Sequence, residues 1–313
     1  MSERALPRSP LPTGRVSRSA LAYGAIGLAG FALFTVSQFR PALMPLWGPF
    51  EFSWWEYLAA ALATYWYACG LASAKDRPSL WRQAGFFVGL LLIYGSLQTH
   101  FDYAAQHLFA LNRAQQILVH DLGPFLLALS APATTIATGT PGWVRACAGS
   151  RAARAVLDLL ARPVVASLLF VGVFYFWLIP PIHFHAMLDA RLYEVMNASM
   201  VLDGLLFWLM VLDPRPQPPA RWSIATRAGM AFGVMTPQTL LGAVVTLAPR
   251  ELYPSYTLCG RLFPIDAMTD QHLGGLVSWI PPLLITAAAV LILLWRVMRN
   301  SDTAHPDIQR SAR

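Results

Sequence analysis

The chain has 313 residues, of which 56% are hydrophobic and 12% charged, and its mean hydropathy is +0.48. An ordinary soluble domain carries about 25% charged residues, and a disordered chain is more polar still, so neither class fits. The excess of 23 Lys and Arg over 16 Asp and Glu, a net charge of +7, points in so apolar a chain to the charge bias of membrane proteins and to anionic headgroups rather than to nucleic acid.

In chain order, the sequence predicts eight apolar stretches near the length of about 20 residues that a bilayer requires: 20–37, 54–73, 84–98, 117–137, 163–179, 195–212, 226–247 and 274–297. None alternates with period two. Each backbone must therefore satisfy its own polar groups, which makes the spans helices. The first follows Arg4, Arg8, Arg15 and Arg18 but reaches Gln38-Phe39-Arg40 without a small-residue cleavage site, so it reads as an uncleaved anchor. Gly24, Gly27 and Gly30 within it suggest a close helix-packing face. Residues 1–19 form a disordered basic tail and 300–313 a flexible one, with 20–299 as one transmembrane helical bundle. The class is all-α and polytopic.

Of the 23 Lys and Arg, 18 fall in the two tails and the even-numbered connections (75–83, 140–162 and 213–227). The other connections hold only Arg40, Arg113, Arg191, Arg250 and Arg261. That alternation places both termini in the cytoplasm. It also sorts the histidines: His100, His107, His120, His183, His185 and His272 lie at or beyond the outer ends of spans, with only His305 inside. Polar outer loops need such residues for solvation alone, but six imidazoles on one side also make a set of possible metal ligands.

Spacing narrows the set. His183 and His185 follow Pro180-Pro181. If the chain there is extended, residues at i and i+2 face the same way and both could address one ion. Asp203 lies about 12 Å into the sixth span, eight residues below Val195, where a carboxylate costs about 2.5–3.5 kcal/mol and needs a partner. Met196, Met200 and Asp203 recur at i, i+4 and i+7 on one face. Two thioethers above a carboxylate, with a histidine from a neighbouring helix, could hold a soft ion such as Cu(I), although a methionine stripe more often fills a core. Pro124 would free or distort a backbone carbonyl near His120 and Asp121. Cys69, Cys147 and Cys259 show no CxxC and fall on different sides, so they make no disulfide framework or thiolate site. No Walker loop, GxGxxG, HExxH or nucleophile elbow occurs, so no catalytic residue is assigned.

The run Asp270-Gln271-His272-Leu273-Gly274-Gly275-Leu276-Val277-Ser278-Trp279-Ile280-Pro281 resembles the terminal signature of the polytopic CtaG-type cytochrome c oxidase assembly factors. Further resemblances occur in the right order: His120 with Ala131-Pro132, Ile182-His183 with Leu188-Asp189-Ala190, Gly204-Leu205-Leu206-Phe207-Trp208, and Ala248-Pro249 with Leu252-Tyr253-Pro254. The likeness covers about 54–299 and leaves the first span as an addition to seven family-like ones. Pro124 stands where the family has a second histidine of a pair, and Tyr193, Met196 and Asn197 stand where it has His, Glu and His.

The resemblance implies a multi-pass protein of the bacterial inner membrane, not an enzyme. Such a factor matures a haem–copper oxidase by handling copper on the periplasmic side. Its partners would be oxidase subunits, a periplasmic copper chaperone and membrane lipid. The ligand set expected from residues and resemblance together is His120, His183, His185, Met196, Met200, Asp203, Asp270 and His272. Alternatives are a haem- or quinone-linked redox subunit, which would need opposed histidines inside the bundle, a metal permease, which would need a polar path across the bilayer, and a structural scaffold.

Overall fold

A computed structural model describes residues 13–304 except 216 and 219, and the described residues form helices and connections with no strand. Of the expected tails, 1–19 and 300–313, residues 1–12 and 305–313 lie outside the described residues, whereas 13–19 and 300–304 are helical, as the ends of α1 and α15. The helices are α1 Thr13–Phe39, α2 Trp54–Ser73, α3 Leu80–Gln98, α4 His100–His107, α5 Phe109–Gln116, α6 Gly123–Ser130, α7 Ala133–Gly139, α8 Gly142–Ala148, α9 Arg151–Leu160, α10 Pro163–Leu178, α11 Pro180–Leu188, α12 Ala190–Val211, α13 Ile224–Thr246, α14 Ser255–Cys259 and α15 Ala267–Ala304. A π-helical turn, Ile117–Leu122, joins α5 to α6.

Every stretch expected to span has a helix, but they are not equivalent. Five helices are long and apolar enough to cross a membrane, and up to seven if each sharply bent pair is one span. The bent pairs are Phe109–Ser130 with α7, at 75°, and α9 with α10, at 74°. The remaining helix, α2, has 20 residues, but Trp, Tyr and Glu56 dilute its apolar character. The connection 140–162 holds two helices, α8 and α9. On α9, Arg151, Arg154 and Asp158 share one side, while exposed Val156, Leu157 and Leu159 lie on the other, as in a helix resting at an interface.

Local chemistry sets many boundaries. The Asp189 and Ser223 side chains accept from first-turn N–H groups of α12 and α13. Proline opens α10 and α11, where a missing N–H costs nothing. That last start overturns the extended reading of 183–185: Pro180-Pro181 begin a helix, so His183 and His185 lie on different faces, one buried and one exposed.

In lipid, helices associate by close packing rather than by expelling water, so small residues govern the crossings. Of the three glycines expected to pack α1, only Gly30 does so, against Tyr57 and Trp54, while Gly24 and Gly27 face open space. The tight crossings lie elsewhere: Gly70 and Gly139 seat α7 on α2, Gly242 and Gly275 join α13 to α15, and Gly204 seats α12 on the π turn. Two aromatic-rich cores fill the bundle. One surrounds Tyr67, Phe86, Phe174, Met196 and Met200, and the other Phe170, Phe207 and Trp208.

Candidate functional site

The π turn begins the site. Pro124 has no N–H to give the carbonyl four residues earlier, which is that of His120, and the helix widens here. Both His120 and Asp121 are fully buried on this turn. Gly204 on α12 packs directly onto the His120 backbone, where a side chain would collide with the carbonyl. The crossing brings the neighbouring Asp203 to the imidazole, with Nε2 and Oδ1 3.4 Å apart. On the other edge of the ring, Nδ1 is 3.2 Å from Asp121 Oδ2. Phe170 stacks on the ring at 4.0 Å and 19° and keeps it flat between the two carboxylates.

This cluster is polar, buried and incompletely bonded. The 3.4 Å contact is close enough for attraction but poorly aligned for a hydrogen bond. His120 Nε2, Asp121 Oδ1 and both Asp203 oxygens therefore lack hydrogen-bond partners. To donate to both carboxylates the ring would need two N–H groups. With one, a lone pair faces a carboxylate oxygen, a repulsion that a cation between them would remove. Met196 and Met200 occupy the same helix as Asp203, fully buried in the aromatic core, as their spacing predicts.

The other expected ligands are placed elsewhere. His183 is fully buried, with Nδ1 3.0 Å from the Trp177 carbonyl and Nε2 2.9 Å from the Tyr256 hydroxyl. A carbonyl only accepts, so Nδ1 carries the proton and Nε2 accepts from Tyr256. Burial first, and the nearby Arg113 charge second, push His183 from its ordinary value of 6.5 down to about 3. Asp270 accepts from the N–H groups of Phe109 and Ala110 at 3.0 and 2.9 Å and faces Arg261 at 3.4 Å, so it caps α5. His185 and His272 are exposed on α11 and α15. Among the described residues, no three His, Cys, Asp or Glu side chains are grouped to hold one ion.

Sequence reasoning missed the polar network above this cluster. Asp102 accepts from Gln115 and Gln106 and from the Tyr193 hydroxyl, which also lies 2.9 Å from Gln115 Oε1. Burial pushes the Asp102 carboxyl up to about 6, against the opposing effect of those hydrogen bonds. Gln116 donates to Asn197 at 2.9 Å. Tyr193 and Asn197 are thus tied into hydrogen bonds here. Arg113, counted from sequence as an outer-loop charge, is fully buried. It bonds the Asn112 side chain and lies over the Phe109 ring, while its Nε and Nη1 have no partner among the described residues. Its setting is a polar turn just before the fourth apolar stretch, where Asn112, Gln115 and Gln116 are buried as well.

The sequence model of the family described as cytochrome c oxidase caa3 assembly factor matches residues 63–300. That range contains the π turn, α12 and the whole cluster, and it leaves α1 outside. No curated protein and no solved structure matches the chain.

Proposed function

Because the chain belongs to the cytochrome c oxidase caa3 assembly factors, we propose that it matures the copper-containing oxidase by holding Cu(I) as cargo, in transit, at His120 and Asp203. One observation carries this reading: His120 Nε2 and the Asp203 carboxylate face each other without hydrogen-bond partners in a buried, aromatic-walled place, with the Asp121 carboxylate on the ring's other edge. An imidazole and the thioethers of Met196 and Met200 are donors that suit a soft monovalent ion, and the carboxylates supply the charge that balances it in a medium of low dielectric. Transfer would proceed by ligand exchange, with no covalent bond made in substrate. His183 and Asp270 would act as supports, since their hydrogen-bonding capacity is already used in positioning α11 and α5.

The proposal includes the sidedness read from the arginines, with both ends cytoplasmic in a bacterial inner membrane and His120 toward the periplasm. Oxidase subunits would receive the ion, and a periplasmic copper chaperone would supply it. The test is the double substitution His120→Ala with Asp203→Asn in the native host. Copper bound per purified protein and the haem–copper oxidase spectrum of the membranes should both fall strongly. Unchanged copper content and an unchanged spectrum, with the variant present at normal level, would refute the site.

A further inference from the structure

At the end of the bundle that carries the Arg-rich connections, two adjoining cavities of about 800 and 220 Å³ share Arg82, Trp295, Arg296 and Arg299. Among the described residues they are lined by six arginines and two aspartates, Asp76 and Asp213. The Asp213 carboxylate is already taken by Arg215, at 2.7 Å, and the Asp213 carbonyl accepts from Arg227 and from Arg296 at 3.1 Å. Arg77 and Arg82 have no hydrogen bond or ion pair from their side chains among the described residues, and Arg82 lies 5.6 Å over the Trp81 ring. Guanidinium groups gathered this way repel one another unless an anion joins them.

The rest of the lining says what kind of anion. Ser79, Ser130, Thr134 and Thr135 add hydroxyls, and the first turn of α3 opens on the cleft from Ser79, whose side chain caps nothing. Leu129 and Ile292 form an apolar wall. Trp81 and Trp295 stand at the rim, 55% and 56% exposed, beside Leu80 at 82%. Exposed indoles and an exposed leucine next to a basic, hydroxyl-lined hollow are the composition of a membrane interface. A soluble anion would gain nothing from them.

We propose that this cleft binds the phosphate headgroup of an anionic phospholipid, with the guanidinium forks of Arg77 and Arg82 on the phosphate oxygens and the acyl chains leaving past Trp81, Trp295 and Leu80. The site is independent of the copper reading.

Native mass spectrometry of the full chain released from nanodiscs tests it. With equal phosphatidylglycerol and phosphatidylcholine, the wild type should retain phosphatidylglycerol preferentially. Arg77→Gln with Arg82→Gln should lower that retained lipid about tenfold, whereas Arg151→Gln with Arg154→Gln, an equal charge loss on exposed α9, should not. Equal losses in the two double variants would reduce the effect to surface attraction and overturn the proposal, as would equal retention of the two lipids by the wild type. Inorganic phosphate at millimolar concentration should fail to displace the lipid; if it binds in place of lipid, the headgroup source is wrong.

Discussion

Replacing Gly204 by alanine tests whether one crossing builds the site. A Cβ there would sit 3.0 Å from the His120 carbonyl carbon, 3.1 Å from its Cα and closer still to the oxygen. All three are backbone atoms of a buried turn, so no side chain can swing aside. Ordinary contact requires α12 to withdraw by about 1 Å, and overpacking of this kind costs about 1–3 kcal/mol. The same withdrawal lengthens the His120–Asp203 contact from 3.4 Å to beyond ion-pairing range. The control is Gly172→Ala on α10, which meets nothing within 4 Å and removes a helix-interior glycine, so it should be neutral or stabilising by up to about 1 kcal/mol. Thermal unfolding in one detergent should place Gly204→Ala several degrees below Gly172→Ala, with reduced copper binding as well. Equal midpoints and equal copper binding would refute the claim that the glycine crossing sets the pair.

Two buried groups should give opposing pH dependences. His183, lowered from 6.5 to about 3, leaves the unfolded chain binding the extra proton, so its contribution to stability is lost as pH falls below 6.5, by about 2 kcal/mol at pH 5. Asp102, raised from 3.8 to about 6, makes the folded chain the proton binder, so its effect runs the other way and stability falls as pH rises from 3.8 to 6. Unfolding midpoints between pH 4 and 6 should therefore become acid-labile in Asp102→Asn and acid-favoured in His183→Gln; parallel slopes in the two variants would contradict both assignments. Asp270→Ala uncovers the buried N–H groups of Phe109 and Ala110 and should cost about 1–3 kcal/mol, read as a lower unfolding midpoint. Tyr256→Phe removes the hydroxyl that His183 Nε2 accepts from and should cost about 1 kcal/mol without altering copper content.

Much of this molecule is written in local composition. Apolar stretches of near-spanning length dictate helices because lipid offers the backbone no other partner, and the run from Asp270 to Pro281 resembles the family whose model matches residues 63–300. The same reasoning required a buried partner for Asp203, since a carboxylate at that depth is too costly alone. It could not say which partner. His120 and Asp203 are 83 residues apart in sequence, and they meet because Pro124 accompanies a π turn and Gly204 lets a second helix lie against it. Arg113 looked like a loop charge and proved to be interior, while His185 looked convergent with His183 and proved to lie on another face of α11. Helix rotation and crossing depth decide such matters. They are set by contacts between distant residues, which a single pass along the chain does not bring together.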